Sequence, residues 1–250
     1  MSSSEQEDSE AHSEAHQVVE DADGNTLRIM VSTDNHLGYA EGDTVRGCDS
    51  FAALEEVLYL AKHYQADMVL LAGDLFHENK PSRRTLHKTM DLFRRYCLGP
   101  NPVPIQILSD QSQNFRRGLV NYEDENYSVD LPVFSIHGNH DDPTREGTDL
   151  LAALDLLDVA NLVNYVGRQE QVNQVEISPI LIKKGETHLA LYGLGSMRDE
   201  RLNRMWSSQK GEMNCTKSLI CCSCRHYTQH LFFVSFFPAS RRRRRREGVV

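Results

Sequence analysis

Three short groups of polar residues give this 250-residue chain the composition of a metal-dependent hydrolytic site. The groups are Asp34-Asn35-His36, Gly73-Asp74 with His77 close behind, and Gly138-Asn139-His140-Asp141. Mixed imidazole and oxygen ligands suit Mn²⁺, Fe²⁺ or Zn²⁺ better than Ca²⁺. Two such ions held about 3.5–4 Å apart are typical of centres that hydrolyse phosphate esters.

The order of the three groups carries more information than any one of them. A lone Asp-x-His, or a lone Asp after an apolar strand, is more often a cap or turn residue than a ligand. All three groups in this order point to a shared site that contains Asp34, His36, Asp74, Asn139 and His140. Asp74 is the candidate for a carboxylate between two ions. His140 is the candidate to protonate a leaving oxygen, a contribution of roughly 10²–10⁴ in rate.

Each group follows a segment with the pattern of a β-strand. The predicted strands are Leu27–Val31, Met68–Leu71, Val133–Ile136, Val175–Ile182 and His188–Leu194, and the predicted helices are Ser50–Tyr64, Pro81–Tyr96 and Asp149–Asp158. This alternation predicts an α/β fold with parallel pairing in its first part. The carboxyl ends of neighbouring parallel strands form sites. Gly73 and Gly138 allow the tight turns that such loops need.

The composition excludes several classes of protein. Hydrophobic residues make up 40% and charged residues 25% of the chain, which is ordinary for a globular protein. No apolar run approaches the ~20 residues that span a bilayer. The first residues, with neither a basic start nor an apolar segment, do not form a secretory signal. We therefore expect a soluble intracellular protein without a membrane partner.

The charge distribution divides the chain into three parts. Residues 1–24 are acidic and without aromatics, and are predicted to be a disordered leader. Residues 25–212 are predicted to form the catalytic domain. Residues 1–212 carry a net charge of -16, whereas residues 213–250 carry +7, crowd four cysteines into ten positions and contain six consecutive arginines, Arg241–Arg246. This tail without a regular pattern is interpreted as read-through or an alternative terminus, or else as a nuclear-localisation or nucleic-acid-binding patch.

The three groups resemble those of the calcineurin-like metallophosphoesterase superfamily. Longer stretches are similar to the eukaryotic nucleases of double-strand break repair, the Mre subunits of Mre–Rad–Nbs complexes. Those stretches are Leu75–Ser82, Ser109–Ser112, Val120–Tyr122, Pro132–Pro143 and Leu191–Ser196. The similarity extends from about Leu27 to Met205 and goes well beyond what a generic phosphoesterase needs.

This resemblance implies an architecture and an activity. The fold is expected to be a metallophosphoesterase-type sandwich of sheets flanked by helices, incomplete at its C-terminus. The activity is expected to be that of a manganese-dependent endonuclease and 3′-to-5′ exonuclease with two Mn²⁺ ions. By resemblance, Asp34 and His36 bind the first ion, Asp74 bridges the two and Asn139 binds the second. His140 matches the catalytic acid, and His77 matches a histidine linked to exonuclease action.

The resemblance also implies partners and a compartment. The expected partners are DNA, the Rad ATPase, the Nbs subunit and a second copy of the chain, and the expected place is the nucleus, in homologous recombination and meiosis. The segment 99–130 resembles an insertion that contacts Nbs. Lys80, Arg83 and Arg84 follow the second polar group closely and are candidates for phosphate contacts, which an acidic protein needs in order to bind DNA.

The chain departs from the family pattern in its later part. The family completes its site with three more histidines, one in a His-Gln-Asn pattern and two in Gly-His-x-His, and neither pattern occurs in this sequence. Four of seven expected ligands are therefore present. Two alternatives to an active nuclease stay open: a generic metal-dependent phosphoesterase, and a non-catalytic module that binds partners, in either case as a fragment with reduced or no nuclease activity.

Overall fold

The computed structural model of the chain describes residues 24–143, 151–169, 175–208, 211–213 and 231–236. Four α-helices lie within these residues: α1 Asp49–His63, α2 Arg83–Cys97, α3 Ala153–Val159 and α4 Asp199–Ser207. The strands are β1 Ile29–Ser32, β2 Met68–Ala72, β3 Gln106–Ile107, β4 Val133–Ile136, β5 Asn164–Tyr165, β6 Val175–Ile177, β7 Ile180–Lys184, β8 Thr187–Leu194, β9 Gly211–Met213 and β10 Leu231–Phe236.

The first sheet has the strand order β1-β2-β4-β5, and its neighbouring strands are all parallel. This confirms the parallel pairing predicted from the strand–helix alternation. The second sheet has the order β10-β8-β7-β3 and is antiparallel. The short strands β6 and β9 pair with each other.

The apolar residues of β2 show how the layers stack. Val69 and Leu71 pack with buried residues of α1 and α2, whereas Met68 and Leu70 pack with buried residues of β7 and β8. Because both faces of β2 are covered, its sequence is continuously apolar rather than alternating. The protein is therefore a sheet sandwich with helices on the outer face of the first sheet, as expected from the sequence.

The two long helices begin differently from the prediction. In α2 the side chain of Ser82 accepts a hydrogen bond from the backbone N–H of Thr85, so Ser82 is the cap and the helix begins at Arg83 rather than at Pro81. Helix α1 begins at Asp49, one residue before the predicted start, and the cap position, Cys48, makes no side-chain hydrogen bond.

Three later elements also differ from the prediction. The predicted strand Val175–Ile182 is two strands, β6 and β7, separated by Ser178 and Pro179. Proline cannot donate to a strand ladder, and β6 and β7 pair with different neighbours. Helix α3 begins at Ala153 rather than at Asp149. The two residues of β5 are too few to show a strand period, and this strand was not predicted.

One strand lies in the predicted tail. Strand β10 pairs with β8 in antiparallel register, from Leu231 opposite Leu194 to Phe236 opposite Leu189. The leader up to residue 23, the cysteine cluster and the arginine run lie outside the described residues, so the predicted domain boundaries stay predictions. Among the described residues, no helix has both the length and the apolar character needed to cross a membrane.

Candidate metal centre

The loops after β1 and β2 remain joined beyond the ends of the strands. The N–H of Asp34 donates to the carbonyl of Gly73 over 3.2 Å, and the N–H of His36 donates to that of Asp74 over 2.9 Å. An isolated parallel bridge between Leu37 and Phe76 continues this pairing. The parallel ladder therefore carries the first two polar groups to the same edge of the sheet.

The backbone of both loops is left-handed at the polar residues. The φ angles are 54° at Asp34, 47° at His36 and 49° at Asp74, and 106° at Gly73. Positive φ is tolerated by glycine and occasionally by Asp and His, at some cost in energy. Such strain persists where the surrounding contacts fix it, here through the hydrogen bonds between the two loops. The tight turn predicted at Gly73 is confirmed.

The third loop is held to the second by Asp141. This carboxylate is fully buried and accepts hydrogen bonds from the N–H groups of Leu75, Phe76 and Gly138, at 2.9, 3.2 and 2.7 Å. Burial raises the pKa of Asp141 to about 6, although the three backbone donors act in the opposite direction. Asp141 was quoted in the third motif but was not assigned a role by sequence reasoning. Its partners Leu75 and Phe76 lie 66 and 65 positions earlier, where no local pattern reveals them.

Gly138 lets the third loop approach Asp74 closely. A Cβ atom on Gly138 would lie 2.1 Å from Oδ1 of Asp74. Next to this contact, the N–H of His140 donates to the same Oδ1 over 2.8 Å. The sequence prediction gave Gly138 a role in turn geometry. Its φ lies outside the left-handed region, and its role is to leave space for the Asp74 carboxylate.

Five of the predicted site residues form one cluster. The potential ligand atoms of Asp34, His36 and Asp74 lie within 4.8 Å of one another, and so do those of His36, His77 and His140. His36 belongs to both sets. Its Nε2 lies 3.8 Å from Oδ1 of Asp34, and its Nδ1 lies 3.5 Å from Nδ1 of His77.

The surroundings of His36 favour the neutral imidazole, the form that binds a metal ion. Burial lowers its pKa, with smaller contributions in the same direction from His140 and His77, while Asp74 and Asp34 oppose the shift. A neutral imidazole has a free nitrogen lone pair. Together with two carboxylates, it is a donor set that fits a divalent transition-metal ion.

The other predicted residues surround this cluster. Asn139 is exposed in the turn between Gly138 and His140, and its role as a ligand stays a prediction. Lys80, Arg83 and Arg84 are exposed between the second loop and the first turn of α2. Arg84 donates through Nη1 to the carbonyl of Glu41 over 3.4 Å, so this nitrogen is directed at the first loop. Phosphate contact by these three residues also stays a prediction.

Comparison with known proteins supports the same kind of centre. Residues 27–220 match the family model described as calcineurin-like phosphoesterase. The chain is 55% identical over 194 residues to the human double-strand break repair protein MRE11. The aligned region is 76% of this chain and 27% of that protein. The chain is 56% identical over 189 residues to the Arabidopsis thaliana protein of the same name, which is 73% of this chain and 26% of that protein.

A solved structure, the Pseudomonas putida nuclease MPE, aligns over 67% of this chain and 70% of that one, at 17% identity and a TM-score of 0.31, too low to support an argument. The chain spans about a quarter of the length of the curated relatives above. The family match covers most of the chain and includes every residue of the cluster. The chain therefore belongs to the calcineurin-like phosphoesterase family.

Proposed function

We propose that this centre binds two Mn²⁺ ions and hydrolyses phosphodiester bonds in DNA during double-strand break repair. The observation that carries the proposal is the convergence of Asp34, His36 and Asp74 within 4.8 Å at the joined ends of β1 and β2. Relatives more than 50% identical over this region are named for double-strand break repair, which supports DNA as the substrate.

The protein groups divide into metal ligands and proton carriers. Asp34 and His36 would hold one ion, Asp74 would contact both, and Asn139 would contribute to the second. When bound, the ions would stabilise the negative charge that builds up on the phosphate group during hydrolysis. Asp74 is buried and accepts a hydrogen bond from the N–H of His140, and a carboxylate held in this way supports the proposed role.

The surroundings of His140 support a role in proton transfer through one of its two ring nitrogens. Its Nδ1 lies 2.8 Å from the carbonyl oxygen of His77. A carbonyl can only accept, so Nδ1 carries a proton and Nε2 is the nitrogen that gains or loses one. The ring stacks on that of His77 at a centroid distance of 5.2 Å and an angle of 23°. His140 in its protonated form would give the proton on Nε2 to the leaving oxygen.

The proposal includes the finer properties implied by the resemblance. These are endonuclease and 3′-to-5′ exonuclease activity with a role for His77, phosphate contacts by Lys80, Arg83 and Arg84, and action in the nucleus during homologous recombination and meiosis. Assembly with a Rad ATPase, an Nbs subunit and a second copy of the chain belongs to the same proposal.

One observation favours a second function. The sequence lacks the His-Gln-Asn and Gly-His-x-His patterns that complete the family site. With four of seven expected ligands, the chain would hold the second ion weakly. A module that binds partners without catalysis is therefore the alternative.

Cleavage of a labelled DNA duplex in Mn²⁺ tests the proposal. Asp74→Ala and His140→Asn should each reduce cleavage at least ~100-fold, since they remove a ligand and a proton donor. His188→Asn is the matched control, because His188 is only partly buried at the beginning of β8 and lies outside the cluster. Cleavage that survives both site substitutions would show that the centre is assigned wrongly.

Two further outcomes separate the alternatives. Turnover of a chromogenic phosphomonoester without DNA cleavage would indicate a generic phosphoesterase. One bound ion or none per chain, without any turnover, would indicate the non-catalytic module.

A further inference from the structure

His137 lies between β4 and the metal-binding residues of the third loop, and none of the roles above includes it. It is 5% exposed. Its ring Nδ1 lies 2.7 Å from the hydroxyl oxygen of Tyr165, the last residue of β5. Its carbonyl accepts a hydrogen bond from the N–H of Ser196 over 3.0 Å. Side chain and backbone of His137 are thus fixed by two different segments.

The segment after β8 packs against the ring of His137. A Cβ atom on Gly195 would lie 2.0 Å from Cε1 of His137, so the backbone of Gly195 packs directly against the imidazole. The N–H of Gly195 donates to the carbonyl of Gly167 over 2.9 Å, which joins this segment to the one that follows β5. The His137 ring therefore has little room to move unless these segments move with it.

Tyr165 is itself held in place. It is 5% exposed, and its backbone N–H donates to Oδ1 of Asp158 in α3 over 3.1 Å. Burial raises the pKa of the Tyr165 hydroxyl well above its usual range, so this group keeps its proton. The hydroxyl is a fixed partner for the ring of His137.

We propose that the hydrogen bond between Tyr165 and His137 positions the third loop, and thereby sets where Asn139 and His140 stand relative to Asp74. Its relevance to metal binding rests on the function proposed above. His137 precedes Gly138, which packs against the Asp74 carboxylate with no space for a Cβ atom. A shift of His137 is therefore passed to Gly138 and to the hydrogen bond from His140 to Asp74. His137 and Tyr165 lie outside the two sets of potential ligand atoms and would act through Gly138 and His140, so they are positioning residues.

Tyr165→Phe tests this inference because it removes one hydroxyl and leaves the ring. The matched control is Tyr122→Phe. Within the described residues the Tyr122 hydroxyl is also buried, but it has no hydrogen-bond partner. Removing it breaks no hydrogen bond, so the pair of variants isolates the bond to His137.

Native-state hydrogen exchange of the His140 amide gives a readout that needs neither metal nor DNA. We expect exchange about fivefold faster in Tyr165→Phe, the factor that loss of one hydrogen bond implies, and unchanged in Tyr122→Phe. Equal exchange in the two variants would overturn the proposal, whether or not the chain cuts DNA.

Mn²⁺ titration followed by electron paramagnetic resonance extends the test to the metal. We expect about tenfold weaker binding in Tyr165→Phe, as for other groups that orient metal ligands. In cleavage assays kcat should fall while KM for DNA is unchanged. Wild-type protein that binds Mn²⁺ but does not cut DNA would refute the proposed nuclease function and leave this comparison valid.

A second pair of variants covers the case in which Tyr165→Phe does not fold. His137→Gln keeps a hydrogen-bonding group near Tyr165, whereas His137→Leu keeps a similar volume without one. We expect His140 amide exchange in the glutamine variant to stay closer to wild type. Equal acceleration in both would show that the ring acts through its shape and would contradict the proposal.

Discussion

The backbone N–H of His140 donates a hydrogen bond to Oδ1 of Asp74 over 2.8 Å. The carboxylate proposed to bridge two ions thus also fixes the backbone of the residue proposed to carry the proton. Ligand position and acid position are set by one side chain. The two contributions of Asp74 can be separated by substitution.

Asp74→Asn should separate them. The amide oxygen can still accept from His140, so the third loop should keep its position, but the negative charge is lost. We expect Mn²⁺ affinity to fall by more than the ~10–100-fold lost on removing a group that only orients a metal ligand. The melting temperature without metal should stay near that of wild type. Calorimetric titration and thermal unfolding measure the two quantities, and unchanged affinity would argue against Asp74 as a ligand.

Gly138→Ala should destabilise the protein. The new Cβ would meet Oδ1 of Asp74 at 2.1 Å, and this carboxylate is held by its bond to His140. Overpacking of this kind costs about 1–3 kcal/mol. Urea denaturation measures the change. Gly42→Ala is the control, because a Cβ there meets nothing within 4 Å and its φ is not in the left-handed region. Equal stability of the two variants would contradict the close contact.

Lys184→Met should be among the more damaging single changes. Nζ of Lys184 lies 2.9 Å from Oδ1 of Asp67, and the two side chains are 9% and 6% exposed. Removing one partner of a buried pair leaves a charge without compensation and costs about 3–5 kcal/mol. The control is the pair of Arg46 and Asp49, whose side chains are 62% and 64% exposed. Such exposed pairs contribute about 0–1 kcal/mol to the free energy of unfolding. A loss for Lys184→Met as small as that for Arg46→Met would contradict the buried pair.

The thiols of Cys97 and Cys48 should differ in reactivity. Cys97 is 1% exposed, and burial raises its pKa to about 12, whereas Cys48 is exposed. Thiolates rather than thiols react with alkylating reagents. Mass spectrometry of peptides after brief alkylation of the native protein should show Cys48 labelled and Cys97 protected.

The raised pKa of Cys97 also defines a pH dependence. Stability from keeping this thiol neutral is fully present below pH 9, the ordinary pKa, and is lost as the pH rises from 9 to about 12. Raising the pH from 7 to 9 should therefore not increase labelling of Cys97 in the folded protein. Rapid labelling at pH 9 without unfolding would contradict its burial.

The regular elements could be predicted because their signals are local. Leu54, Leu58 and Ala61 of α1 have helical spacing and are buried together. The boundaries were less predictable. The predicted strand Val175–Ile182 is divided before Ile180, at Ser178 and Pro179, and the two halves pair with different strands. Strand pairing depends on the tertiary structure, so the local pattern did not predict the division.

In the candidate site, too, some features could be predicted from the sequence and others depend on tertiary contacts. The positions of Asp34 and Asp74 after parallel strands predicted that they would lie together, and the structure places them so. The hydrogen bonds of Asp141 and the contact between His137 and Tyr165 were not predicted. The bonds from Leu75 and Phe76 to Asp141 and the contact between His137 and Tyr165 join residues 28 to 66 positions apart, and a periodic pattern in one segment carries no information about such contacts.

Strand β10 forms one edge of the second sheet, so β8 is not an edge strand. It pairs with Leu189–Leu194, the last six residues of the eight-residue strand β8. The end of β8 leads to the segment that holds His137. An unpaired strand of that length is a template for association with other chains. A chain shortened before Leu231 would leave the backbone donors and acceptors along that side of β8 without partners. Association with other chains would then compete with folding at β8, next to the segment that supports the third loop.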